Sequence, residues 1–538
     1  MKILTSLQPL SQRLHYCVIT ILFTLITLTA SAQHKVNVDL SEQYEEPKNS
    51  TVFDVVGYDD GGFVFGRYTR KGFYSLNISM EKYNKTLKFL TIRDYEYEID
   101  GEDMHYSNPF YFHDKIYLFG STQIKKTKKT NVYYHEVDPK TLNTKGNPVL
   151  LKSIQESDNG SIALADYVLS NDEQTLAFYG LPGYIKKSMY LAGIPVKFSS
   201  NKEETKGSIA VFGDKMEKKW ELDFTLPYEE KLYSITGVNL DNAGNFYFLG
   251  KLFTEKAKSK VRGLPNYQYI LTAFRNNGKE KAEYKISLDE KFITDCSFTL
   301  TNDDKIVCTG FYSEKGTASI KGTFFMTIDP ETKSVLSKGI TDFDTEFLKL
   351  FVSDNKAEKG AELSNFDLDE IILREDGGAI LIGEKYYITT HTSTNPTTGS
   401  TTTTTTYHYN DIIVININPD NSVAWATKIP KKQASSSGYY LSYASHVKDD
   451  MIYLIFNDNE KNLDEKNPEK IYAYDGKNSY ATLVSIQADG EWNKSALFSN
   501  KETGVIMRPI VSEQINNDEL IIYAEKGKKY VVGKITFE

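Results

Sequence analysis

Eight times along the chain a tight polar turn is followed by a short apolar strand that runs into a small or polar residue. The segments are DDGGFVFGRY from Asp59, HDKIYLFGST from His113, NDEQTLAFYG from Asn171, DNAGNFYFLG from Asp241, NDDKIVCTGF from Asn302, EDGGAILIGE from Glu375, KDDMIYLIFN from Lys448 and NNDELIIYAE from Asn516. A repeat of this kind restricts the fold more than any other feature. One meander cannot bury both of its faces, so each unit must stack on others like itself.

A second hairpin follows seven of these segments, as in NVYYHEVDPKTLNT from Asn131, TFFMTIDPETKSVLS from Thr323 and ATLVSIQADGEWNKSAL from Ala481. Their centres are Asp-Pro, Asn-Gly, Asn-Pro-Asp or Asp-Gly, where Gly and Asn accept positive φ and Pro fixes its own. Each unit thus supplies four antiparallel strands, A to D, with short A–B and C–D turns. Such units in series are propeller blades. The eighth unit lacks its last strand, while HKVNVDL from His34 alternates Val36, Val38 and Leu40 with polar residues and has no local partner. The expectation is an all-β propeller of about eight four-stranded blades, closed by the N-terminal strand. Seven blades plus an insertion, or two β-sandwich domains, are the alternatives. One amphipathic helix is expected in DFDTEFLKLF from Asp342.

Lys2 and Arg13, the apolar run Val18 to Leu28 and Ala30-Ser31-Ala32 read as a signal peptide over residues 1–32. The expectation is an exported chain, periplasmic, cell-surface or secreted, with one domain over 33–538. No later apolar run is long enough for a transmembrane helix. Past the leader, 61 basic residues face 72 acidic ones, which argues against nucleic acid as a partner. A monomer binding a protein or polysaccharide is expected, with no cofactor and no metal.

Cys296 and Cys308 fall on the two strands of one hairpin. If Thr301 to Asp303 form its turn, the sulfurs oppose each other and a disulfide is one outcome; two buried thiols are the other.

The chain resembles secreted bacterial β-propeller repeat proteins that carry Asp-Gly-Gly turns followed by a strand and Gly, as in REDGGAILIGE from Arg374. The resemblance runs over the whole chain past the leader and implies the fold and an extracytoplasmic address. It assigns no catalytic residue.

The long connections all join B to C, which places them on one face, where binding residues concentrate on rigid scaffolds. Three are basic, around Lys125 and Lys126, Lys186 and Lys187, and Lys258 and Lys260. They form either an arc for an anionic partner or scattered solvated lysines. Aromatics gather elsewhere on the same face: Tyr386, Tyr387, Tyr407, His408 and Tyr409 around a Thr-rich insertion at 388–410, and Tyr439, Tyr440 and Tyr443 in the next blade-to-blade connection. They suit sugar or peptide recognition. The Thr-rich run reads as a mobile loop or a splayed hairpin tip.

No HExxH, GxSxG or Walker pattern is present, and the acidic pair Asp367 and Asp369 shares a strand face without a recognisable cleft. The leading expectation is a non-catalytic binding or scaffold propeller that recognises a macromolecule or glycan through its long-loop face. A carbohydrate-active hydrolase or lyase with acids in an axial pocket is the alternative.

Overall fold

The computed structural model describes residues 35–71, 75–155, 166–181, 204–255, 258–301, 303–465, 467 and 470–538. Residues 1–32, expected to be a leader, and the Lys186–Lys187 stretch lie outside them. Among the described residues, the chain is all-β, with seven four-stranded antiparallel sheets in sequence order and an eighth of composite origin. Sheet 1 contains Ser50–Asp59, Gly62–Lys71, Ser75–Tyr83 and Phe89–Asp94. Sheets 2 to 7 repeat that order, beginning at His105, Asp166, Tyr233, Phe292, Phe366 and Ala444. Among the described residues, each of the eight sequence couplets lies in a sheet of its own.

Sheet 8 pairs Glu519–Lys526 with Lys529–Phe537, and the N-terminal strand Val36–Leu40 lies along the latter, with Val38 opposite Ile535. The expected pairing of chain start and chain end is therefore present. Tyr44–Glu45 continues along the same edge.

The middle strands are covered on both faces by neighbouring sheets, so Ile306–Ser313 and Met451–Asn459 are buried throughout. Outer strands alternate, as in Glu280–Ile286, where Ala282, Tyr284 and Ile286 face inward. Among the described residues, seven apolar clusters join consecutive sheets and an eighth joins the first to the last. One packs Val64 and Met80 of sheet 1 on Tyr106 and Leu118 of sheet 2. Another packs Phe65 and Tyr83 of sheet 1 on Tyr523 and Val532 of sheet 8.

The amphipathic segment forms only a short helix, Thr345–Lys349, capped by the Asp344 carboxylate on the Phe347 amide at 2.8 Å. Phe343, Phe347 and Leu348 are buried as its spacing suggests.

Two alternatives left open by the sequence are decided here. The hairpin turn after Leu300 uses five residues, closed by the Thr301 amide on the Lys305 carbonyl at 2.9 Å, instead of three. This moves the register by two residues, so Cys296 faces Gly310 and Cys308 faces Phe298. Both are buried free thiols, and burial raises the Cys308 thiol to about 12. The Thr-rich segment takes the hairpin reading over the mobile-loop one, regularly paired instead of splayed. It prolongs two strands of sheet 6, Ala379–Thr394 and Thr401–Ile417, into a regular hairpin. Its β-branched threonines favour extended backbone. No helix among the described residues is long and apolar enough to cross a membrane.

Candidate functional site

A cavity of about 810 Å³ opens between sheets 8, 1, 2 and 3. Its mouth is formed by A–B turn residues, Asp59, Asp60, Asp114, Glu173 and Asn516, and by Lys85 of a C–D turn. This is the short-turn end of the sheets, opposite to the B–C connections. The expected functional face and the cavity therefore lie at different ends.

The inner strand of sheet 1 supplies most of one wall. Its pairing slips between Val52 and Asp54 and again between Val55 and Gly57. Such bulges re-aim side chains. Asp54 is thereby turned into the cavity wall, its Oδ1 accepting from the Val55 amide at 2.9 Å. The same carboxylate-on-next-amide contact recurs at Asp166–Tyr167 and Asp295–Cys296, both at 2.8 Å. Gly57 is required opposite Tyr111, because a Cβ there would lie 2.5 Å from the Tyr111 Cβ.

Tyr58, Tyr111 and Tyr167 contribute rings to the wall, and Tyr58 is 46% exposed at the mouth. Tyr167 is held against Phe110 with ring centroids 4.7 Å apart. Seven carboxylates line the cavity against two lysines. Both lysines are engaged, Lys85 with Asp60 at 3.1 Å and Lys534 with Glu519 at 2.7 Å. The cavity is thus strongly negative.

Glu513 lines this recess and is an exposed residue, although the surrounding walls crowd its carboxyl. Burial, then the Asp54 charge, raise its carboxyl to about 7. Asp54 also acts on Tyr68 and Tyr167, whose phenols are raised chiefly by burial. Because the folded state holds the Glu513 proton more tightly than the unfolded chain does, its contribution favours folding below the ordinary value of 4.5 and is lost as pH rises through about 7. Glu513→Gln is accordingly expected to raise the melting temperature near pH ~8 and leave it unchanged near pH ~4. Equal shifts at both pH values in thermal melts would contradict this.

The aromatics singled out in the sequence do not form one patch. Tyr386 faces Tyr409 across the hairpin root with centroids 4.8 Å apart, and Tyr387 stacks on His408 at 4.4 Å. These pairs occupy opposite faces of the ribbon, since they are consecutive positions. Tyr407 pairs with Ile388 beyond them, and Tyr409 is buried. Tyr439 lies under the Arg508 guanidinium at 4.5 Å. The Tyr440 carbonyl accepts from Asn457 at 2.9 Å, and its phenol is raised by burial to about 12. Tyr443 donates to Asp369 at 3.2 Å. These three fasten the sheet 6–7 link to the sheets beside it.

Lys125 and Lys126 sit on an exposed four-residue turn, and Lys258 is also exposed. The Lys260 amine donates to the Lys315 carbonyl at 2.9 Å and lies over Phe292 at 5.6 Å. Among the described residues no group of three or more His, Cys, Asp or Glu is placed to hold a metal.

The sequence reasoning missed Asp54, Tyr58, Tyr111, Tyr167 and Glu513. The available signal was the recurrence of Asp within inner strands, at Asp54, Asp166 and Asp295.

No family profile and no curated protein matches the chain. Among solved structures, prolyl oligopeptidase B from Galerina marginata aligns over 89% of this chain and 55% of its own, at 8% identity and TM-score 0.38. An alpha-L-arabinanase from Penicillium chrysogenum, complexed with arabinobiose, aligns over 74% and 98%, at 9% identity and 0.31. A protein of unknown function from Dyadobacter fermentans aligns over 93% and 100%, at 9% identity and 0.31. This chain thus spans about half the length of the Galerina enzyme. At these scores the likenesses carry no argument about this chain's fold or chemistry.

Proposed function

We propose that this chain is an exported, non-catalytic propeller that binds a neutral or amino-bearing glycan at the short-turn end. The eight sheets are its blades, and Val36–Leu40 completes the last of them. In support, among the described residues seven apolar clusters each span two consecutive sheets and an eighth spans the last and the first. Residues 1–32 are its leader, and 33–538 its single domain.

The observation that carries the binding reading is the cavity of about 810 Å³ in which three tyrosine rings and seven carboxylates converge. Its size suits a small oligosaccharide. Tyrosine offers a flat apolar face to a sugar ring, and carboxylates accept from its hydroxyls. The same carboxylates disfavour acidic polysaccharides. The test is calorimetric titration with neutral and amino-sugar oligosaccharides. Tyr58→Ala and Glu173→Gln, both at the mouth, should each weaken binding about tenfold, the equivalent of about 1.4 kcal/mol. Absence of binding to every such glycan, or binding indifferent to both changes, would overturn the reading.

One observation favours a glycoside hydrolase instead: Glu513 is raised to about 7 beside Asp54. A proton-holding acid next to a second carboxylate is the pairing that glycosidic cleavage uses. Turnover of a bound oligosaccharide that Glu513→Gln abolishes without loss of binding would establish that reading.

A further inference from the structure

The hairpin of sheet 6 continues past its neighbours. The strand before it pairs with the hairpin only as far as Lys385, and the strand after it only from Tyr407. Beyond those points Thr389–Thr394 and Thr401–Thr406 pair with each other in unbroken register, Thr394 opposite Thr401 and Thr390 opposite Thr405. Thr392 and Thr403 bring their hydroxyls to 3.3 Å, and Thr394 and Thr401 to 3.4 Å. From Thr389 to Thr404 every side chain is exposed.

Among the described residues no strand pairs with the outer edge of Thr401–Thr406. Open edges are normally guarded by charges, bulges or an edge proline, because their main-chain groups template a further strand. This edge has none of these. No Asp, Glu, Lys or Arg occurs from Tyr386 to Asn410, in a chain that is 25% charged, and Pro396 sits in the tip turn. A two-stranded ribbon without an apolar face is also marginal by itself in water.

We infer that the Thr401–Thr406 edge pairs antiparallel with the same edge of a second copy of this chain, giving a four-stranded sheet across a two-fold axis. Self-complementarity selects a second copy over a foreign strand. Six identical residues are self-complementary, since antiparallel pairing sets threonine opposite threonine in any register, a favourable cross-strand pair. Charge confines the contact to this edge: the sequence from residue 33 on carries 72 acidic against 61 basic residues, so copies repel over most of their surface. The 25-residue uncharged hairpin lets two copies meet without that cost. One strand pair falls short of the roughly 1,000 Å² expected of a tight interface, so the dimer is weak and concentration-dependent.

The test is sedimentation equilibrium of the chain from Gln33, which carries every described strand, from about 1 to about 500 µM. The weight-average mass should climb toward twice the monomer value. Thr403→Lys with Thr405→Lys should keep the mass at the monomer value, with unchanged circular dichroism. Mixing that variant with one carrying Thr403→Glu and Thr405→Glu should restore association, because opposite charges across the shared edge attract where like charges repel. A wild type that stays monomeric throughout, or a dimer indifferent to the lysine changes, would overturn the inference. So would a monomer that instead captures an added hexathreonine peptide, which would assign the edge to a foreign strand.

Discussion

Arg67→Ala is expected to cost about 3–5 kcal/mol of folding stability, the range for removing one partner of a buried ion pair. The Arg67 side chain is wholly inaccessible to solvent, and Glu81 is 2% exposed. The guanidinium Nε donates to Glu81 at 2.5 Å, and Nη1 donates to Glu46 at 2.6 Å and to the Ser50 hydroxyl at 3.1 Å. Its plane lies over Tyr530 at 4.8 Å, while Tyr523 donates to Glu46 at 2.6 Å and Tyr530 donates to Glu81. Three stretches of chain meet here: the segment after the N-terminal strand, sheet 1 and sheet 8. Alanine would leave two carboxylates in the seam with no cation between them, and desolvation of unpaired charge dominates such losses. Equilibrium urea unfolding measures the cost. A companion with Arg67→Met, Glu46→Gln and Glu81→Gln together should recover most of it, because neutral groups owe no desolvation penalty. A loss under about 1 kcal/mol for Arg67→Ala would mean the seam tolerates the charges.

The success of the strand reading has a local cause. Turn chemistry at Asp59-Asp60-Gly61-Gly62 or Glu375-Asp376-Gly377-Gly378 is written in consecutive residues, and so is the alternation of Val36, Val38 and Leu40. Gly62 shows how tightly: at φ 126° a Cβ would meet the Tyr83 carbonyl oxygen at 1.9 Å. Hairpin register is less local. The Asp304 residue at φ 59° lengthens the turn by two positions, enough to part Cys296 from Cys308. The Thr-rich run left two readings open because low complexity reads as disorder, although β-branched residues flanking the Asn395–Ser400 turn pair well. Nothing local encodes the cavity. Asp54 enters it through two bulges, and Glu513 reaches it from the other end of the chain. Their convergence depends on four sheets meeting. Loop length pointed to the B–C end, yet much of what gathers there, such as Tyr443 on Asp369 and Tyr439 under Arg508, is spent on joining sheets.

Deleting residues 33–46 is expected to produce a loss at least as large as the arginine change, through a different physical route. Val36–Leu40 is the outermost strand of sheet 8, with five residues paired to Gly533–Phe537. Val36, Val38 and Leu40 pack on the cluster that holds Val531, Ile535 and Phe537. Half-burial of three aliphatic side chains contributes about 2–4 kcal/mol, and the stranded main-chain groups of Lys529–Phe537 add about 1 kcal/mol or more. Tyr44 would be lost from its contacts with Tyr83 and Tyr530 at 5.8 and 5.6 Å, and Glu46 from Arg67. The melting temperature should therefore fall sharply. The decisive observation is rescue: a synthetic peptide of residues 33–46 added to the deleted chain should raise the melting temperature in proportion to the logarithm of its concentration, as expected for a ligand that binds only the folded state. A peptide with Val36 and Val38 changed to Asp should not rescue, because the charges would enter an apolar seam. An unchanged melting curve on deletion would mean that sheet 8 is complete without its N-terminal strand, and the proposed closure of the eight blades would fall with it.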